Sequence, residues 1–368
     1  MKTDQYYMKI ALELAETARG KTNPNPLVGA VIVKDGMIVG SGLHRKAGEP
    51  HAEVHAFRMA GDHAKDATLY VTLEPCSHYG KTPPCAELVK NSGVKRVVVA
   101  MEDPNPLVAG RGINLIKEAG IEVEVGILET EARLLNERFI HNMITARPFV
   151  ISKVAMTLDG KLATYNGHSK WITGDKARET VHRLRNQVDG IMVGIGTVLL
   201  DDPELTTRLP EGGGENPIRI ILDSNLRTPL DAKIVKVSDE VKTWIVTGQN
   251  VDLEKISNLN ALGVEVISAP LNETGLDLFV VLQKLFERGI TELLLEGGSE
   301  LNGAFLKENL IDKYLVYVAP KLLGGRNSKT PFAGSDRESM DEAVNLEFHS
   351  IEQIGSDICI TAYPKKMD

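Results

Sequence analysis

Three cysteines in 368 residues are too few for a disulfide framework and suit a reducing compartment. Aromatic residues are scarce as well, at 5%, which argues against the stacking platforms of single-stranded nucleic-acid grooves. Basic charge is short: 42 Lys and Arg face 50 Asp and Glu, for a net charge of −8. That balance argues against nonspecific nucleic-acid binding through bulk charge, and an anionic substrate must be met by local clusters of Lys, Arg or backbone N–H. No apolar run approaches the roughly 20 residues of a membrane-spanning helix. No secretory leader is visible, because Met1–Arg19 reads as an amphipathic helix with acidic residues inside it. The expected location is the cytoplasm. Internal repeats, low-complexity tracts and coiled-coil heptads are absent too.

What remains is an ordinary globular composition, 42% hydrophobic and 25% charged, long enough for two domains. Arg147-Pro148 is the expected junction, giving domains 1–146 and 147–368. In the first, Asp4–Arg19 is a helix, and Asp35-Gly36 sits between β-branched runs as a hairpin turn. Helices are expected at His51–Met59, Pro84–Ser92, Gly112–Ala119 and Glu129–Thr145, and strands at Thr68–Leu73, Lys95–Ala100 and Glu122–Val125. That order gives a mixed sheet with helices on both faces. The second domain restarts with the apolar Pro148–Ala163 and alternates short Val- and Ile-rich strands with helices, as a mostly parallel sheet does. Leu315–Pro320 and Asp357–Pro364 are expected as antiparallel additions.

The stretch His51–Cys85 carries the first chemistry. HAEVHA, a strand-like TLYVTLEP and EPCSHYGKTPPC place one histidine and two cysteines as a three-ligand set, His51, Cys76 and Cys85. A catalytic zinc takes three such ligands and keeps its fourth position for water. Glu53, two residues past the histidine, is the proton-moving carboxylate in the arrangement of zinc deaminases. Two rival readings are weaker. Cysteines in such a chain are often small buried hydrophobes. His51 and His55, four apart on a helix, lack the glutamate directly after the first histidine that a metalloprotease needs. The cysteines are eight residues apart rather than the commoner two, so Ser77–Pro84 is expected as a loop entering the site. Its His78 is an alternative ligand or, preferably, a substrate contact. The ligands are expected at helix starts, where the dipole favours thiolate.

In the second half, ELLLEGGSELNGAFLKE runs a buried strand through Gly297-Gly298 straight into a helix. Such a helix start offers backbone N–H groups to a phosphate. No G-x-G-x-x-G follows the first strand, so a standard Rossmann dehydrogenase is not expected. KVAMTLDGKLA, SKWITG and GTVLLDDPELTTR put polar residues at strand ends, where open α/β sheets bind ligands.

With TNPNPLVGA, HAEVHA, TLEPCSHYGKTPPC, DPNPLVAGRG, SKWIT, GTVLLDDP and LLLEGGSELNGAF in hand, residues 4–364 resemble the bifunctional pyrimidine deaminase/reductase family of riboflavin biosynthesis. The resemblance implies an α/β fold: a cytidine-deaminase-like α/β/α amino domain and a dihydrofolate-reductase-like α/β carboxyl domain. It implies deamination of a phosphoribosylated diaminopyrimidinone on zinc, then reduction of the ribosyl group to ribityl with NADPH. It places Asn25, His44, His78 and Lys81 at the deaminase substrate, with His44 and Lys81 supplying positive field for its phosphate. Ala155, Trp171, Thr197, Asp201, Ser224, Gly298, Ser299, Glu300, Leu301, Asn302, Gly303 and Ala304 fall at cofactor positions. Lys153, Ser169, Arg185, Leu205, Arg208 and Glu296 fall at the reductase substrate, the two arginines suiting a sugar phosphate. The implied partners are phosphorylated pyrimidine small molecules and further copies of the chain in a homo-oligomer, with neither nucleic acid nor membrane. Two other classes compete: a nucleic-acid editing deaminase, disfavoured by the acidic balance, and a noncatalytic NADPH-binding protein, disfavoured by the intact metal motif. Cys359, in an Ile-Cys-Ile alternation, reads as core.

Overall fold

A computed structural model describes residues 2–79, 83–105, 109–273 and 275–365. The chain divides into two compact units, Met1–Ala146 and Arg147–Asp368.

In the first unit α1 (Asp4–Glu16) precedes a β1 (Gly29–Lys34) and β2 (Met37–Leu43) hairpin, followed by α2 (Ala52–Ala60), β3 (Thr68–Val71) and α3 (Cys85–Lys90). Then come β4 (Arg96–Val99), α4 (Arg111–Glu118), β5 (Glu122–Val125), α5 (Glu129–Leu135) and α6 (Glu137–Thr145). The sheet order is β2-β1-β3-β4-β5, with β1 antiparallel to β2 and β3 and the last three strands parallel. Period-2 alternation divides the strands between two cores. Ala30, Ile32, Leu69, Val71, Val97 and Val99 pack under α2, α3 and α4. Val31, Val33, Tyr70 and Val98 pack under α1 and α5. One face of α2 is Ala52, Ala56 and Ala60, and it lies so close to β2 that a Cβ on Gly42 would sit 2.3 Å from the Ala52 carbonyl oxygen. Small residues on both surfaces thus fix the height of α2, whose first turn carries chemistry.

The single helix expected over Glu129–Thr145 is two, broken at Asn136. That side chain is buried and bonds Leu27 twice, accepting from its N–H at 2.8 Å and donating to its carbonyl at 3.0 Å. A buried amide locked to a distant loop outweighs helix continuity, because leaving it unpaired costs about 1–3 kcal/mol.

The second unit runs β6 (Phe149–Thr157), α7 (Asp175–Arg185), β7 (Gly190–Gly194), α8 (Ile195–Asp201), β8 (Ile218–Leu222), α9 (Lys233–Lys236), β9 (Thr243–Thr247), α10 (Leu253–Ala261) and β10 (Val264–Ser268). A small β11 (Leu271–Asn272) and β12 (Gly275–Leu276) ladder leads to α11 (Leu278–Glu287), β13 (Glu292–Leu295), α12 (Ser299–Lys307), β14 (Lys313–Ala319), β15 (Leu346–Ile354) and β16 (Asp357–Pro364). Nine strands form one sheet in the order β10-β9-β8-β7-β13-β6-β14-β16-β15. Seven are parallel, from β10 to β14. This corrects the expectation for Leu315–Pro320: β14 runs parallel to β6, Lys313 pairing with Ile151, and only β16 and β15 are antiparallel. α12 supplies the crossover that a parallel pairing requires. Two apolar cores flank the sheet, one under α11 and α12, the other under α8, α9 and α10.

Candidate deaminase and reductase sites

In the first unit, His51 is the N-cap of α2 and Cys85 opens α3, as expected, whereas Cys76 lies in the loop after β3. Its sulfur still feels a helix start, because Cys85 N–H donates to Cys76 Sγ at 3.2 Å. His51 Nδ1 stands 3.7 Å from Cys76 Sγ and 3.3 Å from Cys85 Sγ. All three ligand atoms lie within 4.8 Å of one another. Zinc bonds of about 2.3 Å to sulfur and 2.0–2.1 Å to nitrogen give a tetrahedral N···S edge of roughly 3.6 Å, so the spacing and the N/S₂ donor set fit zinc. The Cys85 thiol hydrogen bond, with help from His51, holds Cys76 toward thiolate, while that bond and burial push Cys85 up.

Glu53, in the first turn of α2, is buried, and its Oε2 has no hydrogen-bond partner among the described residues. Burial pushes its carboxyl above the ordinary 4.5. A cavity of about 240 Å³ brings Glu53, His51 and Cys76 together with Asn25, His44 and His78. Lys81 lies outside the described residues. His44 lines this cavity, as expected. It is buried, which lowers its pKa below 6.5, and Asn25 Nδ2 lies 3.0 Å from its Nε2 while Pro50 O lies 3.3 Å from its Nδ1. A neutral ring that donates to Pro50 and accepts from Asn25 satisfies both contacts.

Among the cavity residues that sequence reasoning missed are Asp103, Asn105, Phe139 and Met143. DPNPLVAGRG was the available signal for the first two; nothing local marks the apolar pair on α6. It also missed Glu74, whose buried carboxylate accepts from the N–H groups of Asp103 (3.1 Å), Gly110 (2.9 Å), Gly112 (2.8 Å) and Ile113 (3.3 Å). That knot seats Pro75-Cys76 against the start of α4. A Cβ on Gly112 would lie 2.0 Å from the Pro75 carbonyl oxygen. Gly112→Ala is therefore expected to cost about 1–3 kcal/mol by overpacking and to weaken zinc retention. Thermal melts and metal content check this; a variant with wild-type metal content and stability would contradict it.

In the second unit the loops beyond the carboxyl ends of β6, β7 and β13 enclose a cavity of about 490 Å³. It is lined by Lys153, Ala155, Ser169, Trp171, Arg185, Thr197, Asp201, Leu205, Arg208, Glu296, Gly298 and Asn302, all expected from the sequence. Ser224 lies beyond the carboxyl end of β8, outside that lining. Ser299 and Gly303 turn instead to the 330–333 segment: Ser299 Oγ donates to Thr330 O, and Gly303 backs directly onto the Ala333 carbonyl. Leu301 and Ala304 pack against the apolar core, and Glu300 is exposed. Asn302 Nδ2 donates to Pro331 O at 3.2 Å, leaving its buried Oδ1 without a partner among the described residues.

At the cavity floor Glu296 is held by two cations. Arg185 Nε and Nη2 lie 2.8 and 3.0 Å from its two oxygens, and Lys153 Nζ 2.9 Å from Oε2. Burial alone would raise the Glu296 carboxyl, but the facing cations overcome it and hold it well below the usual range. The Nη1 of Arg185 also donates to Thr206 O at 3.1 Å, so three of its five N–H groups are held by protein while the side chain lines the cavity. Arg208, exposed and 3.4 Å from Glu204, remains a candidate for an anion. His182, missed by the sequence reading, lines the same wall; burial, with Arg185 and Arg208 nearby, lowers it to about 4. It accepts the Arg208 N–H through Nδ1 at 3.2 Å.

A metal-ready N/S₂ centre in one unit and a cavity with Lys, Arg and a glycine-led helix start in the other mark a two-site enzyme. Comparison with known proteins sharpens this. Residues 1–101 match the cytidine and deoxycytidylate deaminase zinc-binding region, and residues 148–360 match the RibD C-terminal domain. The riboflavin biosynthesis protein RibD of Bacillus amyloliquefaciens is 49% identical over 98% of this chain and 96% of its own. That of Escherichia coli is 43% identical, over 97% and 98%. Among solved structures, Acinetobacter baumannii RibD has a TM-score of 0.86 at 43% identity, covering 99% of each chain. The diaminohydroxyphosphoribosylaminopyrimidine deaminase/5-amino-6-(5-phosphoribosylamino)uracil reductase of Thermotoga maritima has a TM-score of 0.85 at 37% identity, covering 98% of this chain and 99% of its own. The chain belongs to the RibD family, the bifunctional deaminase/reductases of riboflavin biosynthesis. Its fold is that of the family in both units, and it is an enzyme with both activities. Among the described residues, no helix is long and apolar enough to cross a membrane.

Proposed function

We propose that the first unit hydrolyses the ring amino group of a phosphoribosylated diaminopyrimidinone, and that the second reduces the ribosyl group of the product to ribityl with NADPH. The observation carrying the first half is the buried Glu53 carboxylate, its Oε2 without a partner among the described residues, in one cavity with His51 and Cys76. His51, Cys76 and Cys85 would hold zinc, which supplies hydroxide at neutral pH by lowering the pKa of its water toward about 7. Glu53 takes the proton that the water gives up, passes it to the ring nitrogen, and later delivers a proton to the departing amine. Its raised pKa suits a group that must both accept and give. Asn25, His44 and His78 stand where the ring and its substituents would be held, with Lys81 carried from the sequence for the phosphate.

In the second unit the hydride comes from NADPH, so the protein's work is alignment and charge. Gly298 is the N-cap of α12, and nothing crowds the place of its missing Cβ, which suits close approach of a phosphate to the helix start. Thr197, Asp201 and Trp171 line the same cavity for the remainder of the cofactor. Arg208 faces the sugar phosphate, and the Lys153–Glu296–Arg185 cluster holds charge and proton donors near the sugar. One coupled assay tests the reading: purified chain with zinc, the diaminopyrimidine phosphoriboside and NADPH should release ammonia and then oxidise NADPH. A strong chelator should stop ammonia release yet spare NADPH oxidation when deaminated substrate is supplied. Full ammonia release from metal-free chain, or no NADPH oxidation on deaminated substrate, would refute the corresponding half.

A further inference from the structure

Among the described residues Arg219 is the largest fully buried side chain, and it sits on β8 with no carboxylate in ion-pair contact. Its Nη2, with two hydrogens, lies within hydrogen-bonding distance of four acceptors: the carbonyls of Ile234 (2.9 Å), Val237 (3.3 Å) and Val241 (2.7 Å), and Thr243 Oγ1 (2.5 Å). These belong to α9, the turn after it and the start of β9. Its Nη1 reaches in the other direction, to the Glu204 carbonyl at 3.1 Å. A cation is costly to bury, and simple core filling is better done by an apolar side chain. The second arm explains its presence.

Glu204 begins the irregular segment 204–208, in which Leu205 is a non-glycine residue with φ +56°. Leucine rarely adopts that left-handed conformation, so the surroundings must impose it. They do so on both sides. Arg219 grips the carbonyl before Leu205, Arg185 grips the Thr206 carbonyl after it at 3.1 Å, and His182 receives the Arg208 N–H at 3.2 Å. The segment supplies Glu204, Leu205 and Arg208 to the cavity wall, while Arg219 itself is not part of that wall. We infer that Arg219 is a positioning residue of the reductase, holding Leu205 in its left-handed conformation so that Arg208 meets the substrate. The inference rests on the reading of that wall as the pyrimidine-phosphate side of the cavity.

The test uses the full chain and measures NADPH oxidation on deaminated phosphoribosylaminopyrimidine for R219K, R208A and the double variant. Lysine keeps the charge but has one donor head, which cannot serve α9 and Glu204 together. R219K is expected to raise KM for the pyrimidine about tenfold, with kcat changed by less than about twofold, because the loss lies in ground-state placement. Ammonia release should be unchanged. In the R208A background R219K should add less than about twofold, since both act through one contact. A folded R219K with wild-type KM, or fully multiplicative losses in the double variant, overturns the inference. A normal KM in R208A instead overturns the reading of the wall, a distinguishable result. Amide exchange covers the case of a damaged core. Faster exchange confined to 204–208 supports the positioning role, and equal loss of protection through β8 and β9 overturns it.

Discussion

A Glu53→Gln chain is expected to retain zinc and reductase activity while ammonia release falls by roughly 10²–10⁴-fold, the usual worth of a positioned acid–base group. The amide fits the same buried space but cannot take a proton from water or return one to the amine. The three ligands are separate side chains, so metal content should stay at the wild-type level by atomic emission. NADPH oxidation, measured with deaminated substrate supplied, depends on the other unit and should be unaffected. Near-normal ammonia release from a zinc-replete Glu53→Gln chain would remove Glu53 from the proton path.

Truncating Glu296 should produce the largest stability loss. Glu296→Ala leaves Lys153 and Arg185 facing each other with no anion between them, and stranding buried charge costs about 3–5 kcal/mol. For a unit of this size that lowers the melting temperature by roughly 6–20 °C. Both tryptophans, Trp171 and Trp244, lie in the second unit, so intrinsic tryptophan fluorescence reads that unit selectively. The same carboxylate gives the unit a pH dependence of definite sign. Its folded pKa is depressed below the ordinary 4.5, so its stabilisation is complete above that value and is lost as pH falls through the folded pKa. Acid melts of the wild type should therefore steepen below about pH 4.5 more than those of Glu296→Gln. A Glu296→Ala melt within about 1 °C of wild type would mean that water, not the carboxylate, satisfies the two cations.

How much of this was legible in the sequence depends on distance along the chain. The three-ligand set was, because His51 and Cys85 sit at helix starts written locally, although the bend that aims Cys76 is set further downstream. The parallel core was, because buried strands such as ELLL and TWIVT are nearly continuous apolar and β-branched runs. The helix break at Asn136 was not, since its cause is Leu27, more than a hundred residues upstream. Nor was β15: LEFHSIEQI is an edge strand with one strand partner, and Phe348 and Ile351 remain exposed, so burial left no pattern to read. The direction of β14 escaped because handedness of pairing follows from the preceding α12 crossover rather than from the strand's own residues. The Arg185–Glu296 fork was illegible for a related reason, because its two halves lie far apart along the chain.

The Glu74 knot bears on transplantation. The bend that aims Cys76 at its co-ligands is borrowed from amides at Asp103, Gly110, Gly112 and Ile113, well downstream of the ligand-bearing stretch. A designer who grafts His51–Cys85 alone onto a foreign scaffold would move three donors but leave their jig behind. The smallest portable unit of this centre therefore extends through the first turn of α4.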